Sequence, residues 1–414
     1  MGPASNDGRR EEYALNRTWL FLSVVFVELA IALFLVAEFP GEKRDFLIQM
    51  TAGRVAELDG PERLYDPKMQ LMRQREIRQE AGGEDVLLPF NHPPLLVPFL
   101  RPLSDVPYGR AYLIWTAGTV LLLFCTVILL TSAFAEPRVS SLQLGAVRMA
   151  VLAFFPVAVV VAQGQDTGIL LFAIAAWVVL LGSRQDFSSG VLLPLAAIRP
   201  HLALGLAVPF LFARRRVFGG FLVGVTILAS FSISLVGIPG VVDYVELIRE
   251  TSFGGTMLIG ETRMPNLLGL IHRLFGGEGR VAPAIAAWLT WIIFMVATSL
   301  RWKSLGPRIS PLHCGLLIVG TAFLVPHIHL HDLAILSVPA IVAANGRLVA
   351  SRFDWDLPII ALGVSSVLLT VMAVTDSPVF DLCLAAAAFL ISAPLFRDLG
   401  GRLSVDSTGQ ARDA

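Results

Sequence analysis

Apolar runs long enough to cross a bilayer recur along almost the whole chain, and they dictate its fold class. A helix needs about 20 apolar residues to span a hydrocarbon core of about 30 Å, and only helices and closed barrels satisfy their backbone hydrogen bonds in lipid. Such runs lie at 17–39, 108–132, 146–163, 168–182, 188–213, 217–238, 281–300, 309–325, 332–347, 356–375 and 378–396. Arg199-Pro200-His201 interrupts the 188–213 run, and proline removes a helical hydrogen bond, so that run reads as two short segments. The expectation is an all-α polytopic membrane protein with about 12 transmembrane segments.

Composition excludes the soluble classes. Charged residues make up 15% of the chain and mean hydropathy is +0.71, whereas soluble domains carry about 25% charged residues. The 32 Lys and Arg balance the 32 Asp and Glu, so no basic field draws nucleic acid. Cys125, Cys314 and Cys383 all lie inside apolar runs and supply no disulfide framework.

The charges sort by side. Arg138, Arg184, Arg214, Arg215, Arg216, Arg301, Lys303, Arg308, Arg347 and Arg352 fall in one set of short loops, against Glu136, Asp186, Asp354 and Asp356. Cytoplasmic loops are enriched in Lys and Arg, so this set is expected to face the cytoplasm. Residues 1–16 and 398–414 then form cytoplasmic tails around a membrane domain at 17–397. Two longer segments, 40–90 and 239–280, face outward. The first holds 8 basic and 10 acidic residues, a substantial polar structure directly after the first apolar run. Within it, Asp45 to Leu58 reads as an interfacial helix and Lys68 to Glu80 as a solvated one.

Several polar groups stand out against this apolar background. Asp45 sits at the outer mouth of the first run, where a carboxylate reaches a lipid headgroup while its loop faces water; a solvated loop carboxylate is the plainer reading. Arg199 lies at the proline break. Ionisable residues in a membrane are costly unless paired or lining a polar cavity, so Arg199 either grips phosphate oxygens through its planar fork or pairs with a buried carboxylate such as Glu28. His327, His329, His331 and Asp332 form an outer turn whose imidazoles either hold a divalent metal or hydrogen bond a polar substrate. Gln165 and Asn266 lie in two more outward turns; their amides suit sugar hydroxyls, and helix capping explains them equally well. The sequence has no HExxH, G-x-S-x-G or Walker loop.

The order of these features resembles glycosyltransferase family 87, a GT-C superfamily group that includes polyprenyl-phosphate-mannose-dependent mannosyltransferases. The resemblance rests on Asp45-Phe46, Leu64-Tyr65-Asp66-Pro67, Phe90-Asn91-His92-Pro93-Pro94, Gly164-Gln165, Arg199-Pro200 and His329-Leu330-His331-Asp332. It implies a GT-C fold, a lipid-linked sugar donor and a catalytic aspartate in the first outer loop, which here matches Asp45. The implied activity is transfer of a hexose, with mannose the first expectation, to a lipid or glycan acceptor at the extracytoplasmic face of the cell membrane. Arg199 and His201 are then expected at the donor phosphate. His92, Gln165, Asn266, His327, His329, His331 and Asp332 are expected around sugar or acceptor. No cofactor is required by this reading, although the histidine cluster keeps a divalent metal open. The alternative class is a transporter or flippase, because broken helices carrying ionisable groups also serve transport.

Overall fold

The computed structural model describes residues 45–81, 87–134, 141–252, 264–275 and 281–345. The expected spans at 17–39, 356–375 and 378–396 and both tails lie outside the described residues. Every regular element among the described residues is helical: α1 (Phe46–Leu58), α2 (Pro67–Ala81), α3 (Val97–Leu100), α4 (Tyr108–Phe134), α5 (Ser141–Ala153), α6 (Phe155–Gln163), α7 (Thr167–Gly182), α8 (Asp186–Leu192), α9 (Pro200–Ala207), α10 (Arg215–Ser252), α11 (Leu267–Phe275), α12 (Val281–Lys303), α13 (Pro311–Leu324) and α14 (Ser337–Asn345), joined in places by 3₁₀ turns.

Three helices, α4, α10 and α12, are long and apolar enough to cross a membrane. Their large side chains point outward in quantity: Leu113, Leu121, Leu222, Ile227, Leu289 and Ile293 are all exposed, as a lipid-facing surface requires. The shorter α7 differs. Its 16 residues rise about 24 Å, and it is apolar on every side, the pattern of a helix enclosed by protein. Trp177 at its centre is fully buried and meets Phe210 edge-on at 5.9 Å, which in turn meets Trp302 at 5.1 Å. Among the described residues three helices reach spanning length, with several shorter apolar helices beside them.

Proline and glycine account for the departures from the expected boundaries. The 146–163 run breaks at Phe154 (φ −56°, ψ 125°), with Pro156 in the first turn of α6. The 188–213 run breaks at Arg199 as expected, in an extended conformation (φ −121°, ψ 85°) that the ring of the following Pro200 favours. The helix expected to end at 238 kinks at Gly237 (φ 67°, ψ 177°) and then resumes to Ser252. The segment from 239 therefore begins as helix.

The described part of the 40–90 segment is more deeply packed than its sequence indicates. Of α1, Phe46, Leu47, Gln49, Met50, Thr51, Ala52, Gly53, Arg54, Val55 and Ala56 are all buried. This corrects the interfacial reading: α1 is enclosed rather than laid on a surface. Gly53 permits the closest approach, since a Cβ there would stand 2.6 Å from the carbonyl oxygen of Leu100 at the end of α3. The solvated reading of α2 also needs correction. Gln70, Gln74 and Ile77 are fully buried along one face. The Gln70 amide accepts from Phe90 N at 2.8 Å and donates to Leu64 O at 2.9 Å. Gln74 accepts from Leu88 N at 3.0 Å and donates to Leu88 O at 2.5 Å. Two glutamines one helical turn apart thereby fix the extended chain that leads to His92.

Candidate functional site

A buried polar cluster joins five separate parts of the chain at one end of α7. Asp45 immediately precedes α1, and its side chain makes no capping bond to that helix. Phe46 beside it is buried among Tyr108, Tyr112 and Trp115, with ring centroids 5.6, 5.8 and 6.3 Å away. The aspartate, half-buried as a residue, is thus held by its neighbour's packing while its carboxylate accepts a hydrogen bond from Nε2 of Gln165.

Gln165 and Asp166 are aimed by a left-handed turn. At the end of α6, Gly164 adopts φ 66°, its N–H donates to Val161 O and that of Gln165 to Val160 O, the pattern of a Schellman cap. The turn is clamped from α4: Trp115 Nε1 donates to Gly164 O at 2.9 Å, and the Tyr112 hydroxyl donates to Val161 O at 3.0 Å. A Cβ on Gly164 would lie 2.9 Å from Cβ of Phe46 and 3.1 Å from the Tyr112 ring. Gly164→Ala is therefore expected to cost about 1–2 kcal/mol from backbone strain alone and to push Gln165 away from Asp45. Thermal unfolding and transfer rate should both drop, whereas an unchanged rate would mean that the turn does not set the Asp45 geometry.

Asp166 and Asp332 bracket Arg199. Nε of Arg199 donates to both oxygens of Asp332, at 3.1 and 3.2 Å, and Nη2 lies 3.3 Å from Oδ1 of Asp166. Asp332 is further bound by the Thr167 hydroxyl at 3.2 Å and the His329 backbone N–H at 3.2 Å. His92 Nδ1 is 2.5 Å from Oδ2 of Asp166, and Arg199 Nη1 lies 3.4 Å from each of its ring nitrogens. Two features orient His92: its ring stacks on Phe90 at 5.4 Å, and its carbonyl accepts the Tyr65 hydroxyl at 2.8 Å. His331 Nε2 stands 3.3 Å from Arg199 Nη2. From there a row of imidazoles leads away, with His331 to His329 at 5.5 Å, His329 to His327 at 4.7 Å and His327 to His201 at 5.9 Å between centroids.

The two loop carboxylates differ in basicity because their partners differ. Burial pushes the Asp45 carboxyl up to about 6, only partly offset by the Gln165 hydrogen bond and the more distant charges of Arg199 and His92. Burial opposes ionisation of Asp166 as well, but His92 and Arg199 in direct contact outweigh it and hold that carboxyl down at about 2. At neutral pH both are ionised. Asp45 is the one with appreciable affinity for a proton, and Asp166 acts as a fixed negative charge.

Nine of the ten residues expected at a site fall in or beside this cluster: Asp45, His92, Gln165, Arg199, His201, His327, His329, His331 and Asp332. Asn266 stands apart, with its amide donating to Val325 O at 2.7 Å and accepting from Gly269 N at 2.9 Å. It caps α11 and ties that helix to the chain before His327. Gln165 is engaged with Asp45. For Arg199 the pairing alternative holds, with Asp332 and Asp166 as its carboxylates. Among the described residues no three His, Cys, Asp or Glu side chains gather as a metal-chelating group. Asp166 was missed as a site residue; the available signal was a carboxylate in the turn between two almost wholly apolar helices.

Family comparison agrees with this architecture. The model of glycosyltransferase family 87 matches residues 90–326, more than half of the 414 residues, and an all-helical membrane protein is consistent with the GT-C superfamily. The matched segment carries His92, Gln165, Asp166 and Arg199, while Asp45 and Asp332 lie on either side of it. No curated protein and no solved structure matches the chain. The expectation of an enzyme rather than a transporter therefore stands: the chain belongs to glycosyltransferase family 87.

Proposed function

We propose that this glycosyltransferase moves a hexose, mannose in the first instance, from a polyprenyl-phosphate donor to a lipid or glycan acceptor, with inversion at the anomeric carbon. The observation that carries the proposal is the carboxylate of the half-buried Asp45, held by Gln165 beside a buried Asp166–Arg199–Asp332 core. Asp45 acts as general base, taking the proton of the acceptor hydroxyl as its oxygen attacks the anomeric carbon. The bond to the phosphate oxygen breaks through an oxocarbenium-like transition state. A base with a pKa near the working pH combines ionisation with proton affinity, which suits Asp45 better than Asp166.

Arg199 takes a narrower part than a free phosphate clamp. Its Nε and Nη2 edges face Asp332 and Asp166, so contact with the leaving phosphate falls to Nη1, which lies next to His92 and exchanges its 3.3 Å bond to Ile198 O for the phosphate. His201, packed on His327 and with no hydrogen-bond partner for its Nε2 among the described residues, is a further candidate donor to the phosphate. The remaining histidines border the sugar and acceptor. The sidedness argument supports an extracytoplasmic site. The cluster lies at the start of α7, whereas Arg184 and Arg214 to Arg216, the charges expected in the cytoplasm, gather at its other end.

Purified enzyme offered radiolabelled polyprenyl-phospho-mannose, -glucose and -arabinose with a membrane lipid extract is expected to transfer mannose and to give a product of inverted anomeric configuration. Transfer from nucleotide-mannose alone would overturn the donor assignment, and a retained configuration would overturn the single-base mechanism. Full activity in EDTA is expected.

A further inference from the structure

A second charged site lies at the far end of α7 from the Asp45 cluster, about 24 Å along a 16-residue helix. Arg184, Phe187, Phe212, Arg214, Arg215 and Arg216 line a cavity of ≈ 730 Å³ there. Arg214 forms its fixed wall. It is buried, bonded to the Asp186 carboxylate, and donates to Ile309 O at 3.2 Å and Leu181 O at 3.3 Å. Arg184 follows α7 in the left-handed conformation (φ 60°) that usually calls for glycine. Its N–H donates to Leu181 O, that of Gln185 donates to Leu180 O, and its guanidinium donates to Pro307 O at 2.7 Å. That bond holds the Arg184 guanidinium against another part of the lining.

Arg215 and Arg216 are exposed at the start of α10, and no carboxylate among the described residues pairs with either. Asp186 offsets Arg214, and among the described residues no carboxylate pairs with Arg184, Arg215 or Arg216, so three positive charges border one cavity. The same cavity has an apolar edge: Phe187 is 51% and Phe212 42% exposed. Positive charge beside exposed phenylalanine, at the end of apolar helices, matches the two halves of an acidic lipid. Guanidinium groups meet the phosphate oxygens, and aromatic side chains meet the start of the acyl chains. A soluble phosphate would use the arginines and leave the phenylalanines uncovered.

We propose that this pocket binds the phosphate-bearing headgroup of an anionic membrane phospholipid, at a site separate from that of the sugar donor. Basic pockets between transmembrane helices on the cytoplasmic side bind acidic headgroups in this way. The full chain, reconstituted in nanodiscs of phosphatidylcholine with graded phosphatidylglycerol, should retain phosphatidylglycerol preferentially when examined by native mass spectrometry. In the double variant R215Q/R216Q the apparent affinity should fall about 30-fold, the factor expected from two basic residues near an anionic surface. Arg214 is left intact because it is tied into the fold.

A second variant, F187S/F212S, keeps every charge and should weaken phosphatidylglycerol retention while leaving the weak binding of inorganic phosphate unchanged. Equal retention of the two lipids, or retention unaffected by R215Q/R216Q, would overturn the proposal. So would inorganic phosphate binding as tightly as phosphatidylglycerol and displacing it, since that outcome assigns the pocket to a soluble anion.

Discussion

Asp45→Asn is expected to lower kcat about 10²- to 10⁴-fold, the usual contribution of a positioned general base, with little change in donor KM. The variant should also be no less stable than the parent. Burial raises the Asp45 carboxyl from 3.8 to about 6, so its protonated form favours the folded state. That contribution is complete below 3.8 and lost as pH rises through about 6. At neutral pH the ionised carboxylate therefore opposes folding, and a neutral amide relieves the cost. An inactive yet equally or more heat-resistant variant separates a catalytic role from a structural one. Wild-type turnover should fall as pH drops through about 6 and level off above it. Gln165→Leu removes a hydrogen bond that lowers the Asp45 value, so the midpoint should move to higher pH. A lower kcat with an unmoved midpoint would mean that Gln165 acts only in packing.

Arg199→Gln should produce the largest loss of stability. Arg199 is 6% exposed, Asp166 1% and Asp332 fully buried. Removing the one guanidinium shared by two buried carboxylates leaves Asp166 with His92 and Asp332 with the Thr167 hydroxyl, the His329 N–H and His331, and breaking such a buried pair costs about 3–5 kcal/mol, a large part of a typical folding free energy of about 5–15 kcal/mol. Thermal unfolding in detergent reads the effect directly. Adding Asp332→Asn to Arg199→Gln should recover part of the loss, because a neutral amide pair replaces a carboxylate that has lost its guanidinium. Arg199→Lys should fall between, since one ammonium cannot reproduce the planar fork that serves both carboxylates. The opposite result, wild-type stability with lost transfer, would leave Arg199 only its contact with the donor phosphate and remove its role as the pin of the core.

Much of the framework was legible beforehand where a single local rule operates. The apolar run at 108–132 marks α4, which ends only two residues later, and Arg199-Pro200 marks the break before α9. Other features depend on partners remote in sequence. Gln70 and Gln74 gave α2 a solvated look, because amides on a helix usually face water; here they replace a strand edge for Leu88 to Phe90. Arg54 and Gln49 disguised the burial of α1 for the same reason. The turn at Gly164 was visible as a turn, but not as the element that carries Gln165 to Asp45, 120 residues away in the chain.

The sequence by itself determined the solvent for which this protein is built, the helical class that solvent demands, the places where helices must break, and the family, through the order of its motifs. Those properties follow from local hydropathy, from the φ restriction of proline and from residue identity. Tertiary structure alone decided which charges meet. It paired Arg199 with Asp332 and Asp166, made Asp45 the more basic of the two loop carboxylates, and drew Asn266 away into a helix cap. The reason is physical. An ionisable group takes its character from burial and from partners within a few ångströms, and here those partners come from chain segments that only folding brings together.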